Sequence, residues 1–408
     1  MPELNAGDTA WLLMATALVM VMLPGLALFY GGLVRRKNVL STIMHSFFGL
    51  ALVSVVWVVL GFSLAFGGDV NGAGLIGGLE FVGFAGVGLE PNPDYAAGIP
   101  FVLFAAFQLM FAAITPALIS GAFAERKRFG SFVLFTLLWS LFVYSPIAHW
   151  VWAPGGWLRE LGALDFAGGT VVHVSSGVSA LVAAVLVGKR YTNGDRLEPH
   201  DVPMTVLGAG LLWFGWFGFN AGSALAANGL AANALLVTNT AAGAAMLTWV
   251  LASYLHRGKV SVVGAATGAV AGLVAITPAA GFVGAGGAVA IGLGVGALCY
   301  GATLLRERLR IDDALDVFAV HGVGGMFGAL ATGVLAVAAI GGVAGALEGN
   351  LGQVGVQVVA VGATAAFAAG ATFVIVKVVE LVAGLRVEQQ AEEVGLDLAV
   401  HGEAAYQL

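Results

Sequence analysis

The stretch TAWLLMATALVMVMLPGLALFYGGLVRRK, residues 9–37, runs for 26 residues without a charge and then meets three consecutive cations. At about 1.5 Å of rise per residue, a helix over this run is long enough for the roughly 30 Å of hydrocarbon in a bilayer. The pattern recurs along the chain, with apolar stretches approximately at 9–34, 39–66, 99–124, 130–151, 168–188, 203–224, 232–256, 260–280, 285–305, 314–338 and 354–383. The expected fold is an all-α polytopic membrane protein with eleven transmembrane helices. Of the 408 residues, 59% are hydrophobic and 10% are charged. A soluble domain carries roughly 25% charged residues, so a soluble enzyme is excluded. The 61 glycines suit close approach of neighbouring helices, which is how membrane helices gain packing energy. No basic flank precedes the first run and no A-x-A-like site follows it, so it is read as a retained helix rather than a cleaved signal peptide.

The positions of the charges set the expected orientation. Arg35, Arg36, Lys37, Arg126, Lys127, Arg128, Lys189, Arg190, Arg196, Arg257, Lys259, Arg306, Arg308, Arg310 and Arg386 fall on alternate loops and the tail, 15 of the 17 Lys and Arg. Arg159 alone falls on the other side, and Lys377 lies inside the last run, where its stem reaches the interface. Positive charge stays in the cytoplasm, so the N-terminus is expected outside and the C-terminus inside.

Within the chain, Phe29-Tyr30-Gly31-Gly32 matches Phe219-Asn220-Ala221-Gly222, and His173-x-x-x-Gly177 matches His321-x-x-x-Gly325. The expectation is two five-helix repeats, about 9–188 and 203–338, followed by an eleventh helix at about 354–383. Five is odd, so the second copy enters from the opposite side and the topology is inverted, with a solute site between the copies. The membrane domain is then 1–383, and the charge-rich segment 384–408 is a cytoplasmic tail.

A polar side chain inside an apolar span costs about 2.5–3.5 kcal/mol when charged, and one kept there marks a pathway or a structural bond. His173 and His321, at matched positions, are the prime candidates. Two neutral imidazoles in contact can pass a proton or bond a small polar molecule. A metal needs more ligands than these two rings supply, and Cys299 reads as a small core residue. No nucleophile with a partner base is present, so no catalysis is expected. Asp312, Asp313 and Asp316 are placed to cap the helix that follows them.

Several strings carry more than this. Phe107-Gln108-x-x-Phe111-Ala112, Ala124-Glu125-Arg126, Ala148-His149-Trp150-Val151-Trp152, Asp165-Phe166-Ala167-Gly168-Gly169-x-x-Val172-His173, Trp216-Phe217-Gly218-Phe219-Asn220-Ala221-Gly222-Ser223 and Asp316-x-x-x-Val320-His321-Gly322 closely resemble the ammonium transporter family (Amt/Mep/Rh), on its Amt side. The resemblance covers essentially the whole chain. It implies an outer recruitment site of Phe107, Phe111, Trp152 and Ser223, where aromatic faces attract a cation and a hydroxyl accepts one N–H bond. It also implies a gate of stacked Phe111 and Phe219, with Gln108 and Trp216 supporting the pore and the twin histidines lining it. Asp165 either draws in cations or holds its loop, and the second role is expected.

Transport is then expected to run through recruitment of NH4+, deprotonation, and passage of NH3; K+ has no proton to lose. The alternative is a sensor that binds ammonium without conducting it. With only about 25 residues after the last span there is little room for an output domain, which favours transport. The tail string Gly395-Leu396-Asp397-x-x-x-His401-Gly402-Glu403 resembles the family's regulatory tail. The resemblance further implies a homotrimer in the cell membrane and a PII-type regulatory partner. No cofactor, metal or nucleic acid is expected.

Overall fold

A computed structural model describes residues 3–192 and 197–406; Arg196, one of the cations used for orientation, lies outside the described residues. The helical segments, in chain order, are α1 (Ala6–Leu33), α2 (Arg36–Phe66), α3 (Phe101–Phe123), α4 (Phe129–Glu160), α5 (Gly169–Val187), α6 (Val202–Gly222), α7 (Gly229–Arg257), α8 (Val262–Ile276), α9 (Ala285–Leu309), α10 (Phe318–Leu335) and α11 (Gly352–Ala383). All but α8, ten among the described residues, are long and apolar enough to cross a membrane. The chain is a multi-pass membrane protein. Among the described residues there is no β-strand, only isolated bridges such as Lys127 with Arg386.

The expected span 260–280 is the 15-residue helix α8, which ends where Thr277 and Pro278 follow it. Pro278 lacks the N–H that would continue the ladder. Residues 277–282 proceed as turns instead, and the Pro278 carbonyl accepts a bond from Phe166 N at 3.2 Å.

Small residues set the packing. α1 lies along α6, and a methyl at Gly208 would overlap the backbone of Phe29. α7 packs on α8 and α9, while α11 lies across α4, α5 and α10. The segments carrying Arg35, Arg126, Arg190 and Arg306 share one side of the bundle, the basic face; the segments around Asp69, Arg159 and Asp165 share the distal face.

The basic face is tied by charge. Glu125, between α3 and α4, accepts bonds from Arg35 N (2.7 Å), Asn38 Nδ2 (3.1 Å) and Arg190 Nη1 (3.0 Å). Burial opposes ionisation of Glu125, but Arg190 and Arg35 outweigh it and hold the carboxyl below its usual range. Arg190 also grips Asp312, at 2.7 Å. The tail docks here: Asp397 accepts from Leu40 N (3.1 Å) and Ser41 N (2.9 Å), satisfying free amides at the start of α2. Of the three aspartates expected to cap α10, Asp313 does so, accepting from Phe318 N at 2.7 Å. Asp312 and Asp316 instead pair with Arg190 and Arg306, because those cations reach them from neighbouring elements. Lys377 points out of the bundle and pairs with Glu380 at 2.8 Å, one turn away.

Candidate functional site

On the distal face, α3, α4 and α6 surround a cavity of about 180 Å³ lined by Phe104, Gln108, Phe111, Trp152 and Ser223, with Phe66, Tyr95, Arg159 and Phe166 from the loops and neighbouring helices. Trp152 stands edge-on to Phe111, at 90° with centroids 5.8 Å apart. Ser223 Oγ donates to Phe219 O at 2.8 Å, which leaves its lone pairs for a ligand N–H. Gln108 is 9% exposed and its Oε1 has no partner among the described residues, an acceptor on the lining of the same cavity. Phe107 is not on the lining. It packs behind Phe111, centroids 4.9 Å apart, where a methyl on Gly222 would strike it.

The loop beneath is held by one carboxylate. Asp165 accepts from Gly168 N, Gly169 N, Thr170 N and Val171 N and from the Thr170 hydroxyl, so it satisfies the open amides at the start of α5. Burial pushes its carboxyl above the usual range, and those donors from Thr170, Gly168 and Val171 oppose the shift. Its backbone carbonyl accepts Trp152 Nε1 at 3.0 Å. Arg159 Nη1 donates to Trp152 O at 2.6 Å. These bonds tie Asp165 to its own loop, and it is not among the residues that line the cavity.

Below the cavity the Phe111 and Phe219 rings stack 4.1 Å apart at 27° and close the path. Past them lies a narrow space of about 10 Å³ lined by Phe219, His173, Trp216, His321, Phe29 and apolar side chains. Each histidine sits in a wide π-turn, Gly169–Val174 in α5 and Phe318–Gly322 in α10. Such turns shift a side chain off the regular helical register and are frequent at functional sites. The helices meet through glycine: a methyl at Gly177 would overlap the backbone of Gly322, and one at Gly325 would press on Gly169 O and His173 Cβ, each at 2.9 Å. This contact brings His173 Nδ1 to 3.1 Å from His321 Nδ1. Trp216 stacks on His173 (5.5 Å, 22°) and is fixed by Nε1 donating to Thr277 Oγ1 at 2.9 Å.

The Nδ1–Nδ1 contact has a chemical consequence. One neutral ring must donate and the other accept, so their Nε2 atoms have opposite characters, one acceptor and one donor. His173 Nε2 is buried without a partner among the described residues. On the basic face His321, Phe29 and Tyr30 line a cavity of about 780 Å³, rimmed by Lys189, Arg190, Arg257, Arg306 and Arg310. Asp316 shares that lining and pairs with Arg306 at 2.6 Å.

Sequence reasoning missed Phe66, Tyr95, Phe104 and Arg159. Phe104 was within reach, since residues 104, 108 and 111 share a helix face. Phe66 and Tyr95 come from distant chain segments and left no local signal.

Fold and site together define a multi-pass α-helical membrane protein in which two stacked rings and a pair of imidazoles in contact lie between two cavities. Residues 10–406 match the model of the Ammonium Transporter Family, and the chain belongs to that family. It is 51% identical over 407 residues to an ammonium transporter of Bacillus subtilis, covering 99% of each chain. Its backbone resembles the crystal structure of Saccharomyces cerevisiae Mep2, with a TM-score of 0.89 and 39% identity over 94% of this chain and 88% of that one. A solved Sensor Amt Protein also resembles it, with a TM-score of 0.89 and 33% identity over 97% of this chain and 98% of that one.

Proposed function

We propose that this chain is an ammonium transporter of the cell membrane, recruiting NH4+ at the distal-face cavity and passing NH3 between the twin histidines. The observation that carries the reading is the alignment of three features: a cavity of aromatic faces and free acceptors, a stacked pair of rings, and two imidazoles in mutual contact. A cation over aromatic rings gains about 0.5–2 kcal/mol depending on desolvation. Ser223 Oγ and Gln108 Oε1 accept its N–H bonds. A bare cation is costly in a space as narrow as the one below Phe111 and Phe219, whereas neutral ammonia is not, so NH4+ passes its proton to water of the distal-face cavity before NH3 goes on to the histidines. The opposed Nε2 atoms then suit ammonia, which both donates and accepts. K+ cannot follow because it has no proton to shed.

The remaining expectations belong to this reading. The distal face is outside and the tail cytoplasmic, by the distribution of Lys and Arg. The crossings number eleven with α8 included, arranged as two inverted five-helix repeats, 9–188 and 203–338, with 354–383 after them. Phe29 and Phe219, matched in the sequence, both line the narrow space with the histidines, which supports the inversion. A homotrimer and a PII-type partner at the tail complete the reading. The solved Sensor Amt Protein makes the sensor the second reading, since its likeness extends over 97% of this chain.

Reconstitution into liposomes on a supported membrane tests both. Ammonium pulses are expected to evoke current or a lumenal pH change, with no response to K+. Replacing both His173 and His321 with leucine is expected to abolish selective conduction. Binding without current or pH change would establish the sensor, and K+ exclusion surviving in the double variant would overturn the deprotonation step.

A further inference from the structure

We propose that Gln357, on α11, is a positioning residue for the distal-face cavity, pinning the loop that carries Asp165 and holds Trp152 to the helix that carries His321. Gln357 is fully buried and is not among the residues that line the cavity. Its Oε1 accepts from Leu164 N at 2.8 Å, and its Nε2 donates to Leu164 O at 2.8 Å and to Ala329 O at 2.9 Å. Reversing the amide would set its oxygen against two carbonyls and its NH2 against an N–H, so only one orientation satisfies the three bonds. Leu164 is thereby held at both backbone groups, immediately before Asp165. From Asp165 the carboxylate goes to the start of α5 and the carbonyl to Trp152 Nε1. Ala329 lies on α10, two turns beyond His321. One side chain thus sets the recruitment aromatic relative to the histidine helix. One turn earlier on α11, Gln353 Nε2 donates to Gly162 O at 2.9 Å and steadies the same loop from the same helix face.

A buried amide removed without replacing its partners leaves the Leu164 N–H and carbonyl unpaired and cuts the tie to Ala329, so the loop moves to find new partners. Trp152 moves with it. The proposal rests on the reading that Trp152 recruits ammonium, and the experiment separates the two. Apparent KM and maximal ammonium-evoked current per folded protein are measured in proteoliposomes for Gln357→Met, Gln353→Ala, Trp152→Leu and their combinations. Gln357→Met is expected to raise KM about tenfold while maximal current stays within about twofold, and to add less than about twofold in the Trp152→Leu background. A fall in current that merely follows the amount of folded protein, at unchanged KM, overturns the proposal, as does full additivity with Trp152→Leu. Should Gln357→Met not fold, Gln353→Ala decides: a KM raised about threefold and non-additive with Trp152→Leu supports the proposal, and an unchanged KM overturns it. A raised KM in Trp152→Leu beside an unchanged one in Gln357→Met overturns the proposal alone, whereas a wild-type KM in Trp152→Leu overturns the recruitment reading and the proposal with it.

Discussion

Lys127 shows how far one side chain's environment departs from what its position in the chain suggests. Its place in the Arg126-Lys127-Arg128 run reads as a solvated, orienting charge, yet it is 1% exposed, and Nζ has no hydrogen-bond partner among the described residues. Nζ lies 4.8 Å from the Phe123 ring centroid and 5.3 Å from that of Phe135. Burial, joined by the charge of Arg126, lowers its titration from 10.5 to about 7. Between those values the unfolded chain binds a proton that the folded one does not, so stability rises with pH across that window. Thermal stability in detergent is expected to increase from about pH 7 toward pH 10 in the native protein, and Lys127→Met to flatten that slope. An unchanged slope would rule out Lys127 as its source. A lone imidazole in an apolar run, such as His45 or His149, more often bonds a neighbouring helix, whereas His173 and His321 were legible because they hold matched positions in the two copies. Their contact through Nδ1 was not, since it depends on two π-turns that no periodicity announces.

Helix lengths and locations were largely legible in the sequence, because a run of apolar side chains long enough for the bilayer has few other places to go. α8 was the exception. Its pattern runs on to residue 280, but Pro278 and the bond to Phe166 turn the backbone away after Ile276. The pairing of α5 with α10 rests on glycines whose roles only packing reveals. Gly177→Ala would overlap Gly322 and is expected to cost about 1–3 kcal/mol by overpacking, with loss of conduction as the histidines separate. Gly355→Ala on α11, where nothing lies within 4 Å, serves as the control and is expected to be neutral or stabilising. Equal melting temperatures for the two variants would show that the glycine contact does not hold the helices together.

Across the whole molecule, Glu125 joins elements far apart in the chain. It binds the junction of α1 and α2 through Arg35 and the end of α5 through Arg190, while its partner Asn38 accepts from Leu396 N of the tail at 2.8 Å. Glu125→Gln removes the carboxylate shared by Arg35 and Arg190 and is expected to cost about 1.5–3 kcal/mol and loosen the tail, measurable as faster proteolysis after Gly384. The sign of the pH effect follows from its lowered carboxyl: this stability is present above 4.5, the unfolded value, and is lost as pH falls through the lower folded value. Glu125→Gln is expected to flatten that acid limb; a limb of unchanged steepness would exclude Glu125 as its cause.

The sequence by itself determined that the chain lives in a bilayer, where its spans lie and which loops share a face, because hydrophobicity and charge act residue by residue against lipid and water. It also marked the two histidines and, through its strings, the family. Only the tertiary structure decided that Phe107 stands behind the cavity while Phe104 and Gln108 line it, that Asp165 spends its oxygens on backbone amides, and that Gln357 reaches from the last helix to the recruitment loop. Those outcomes depend on which buried polar group finds which partner across hundreds of residues, and that matching is settled by close packing, which no local pattern encodes.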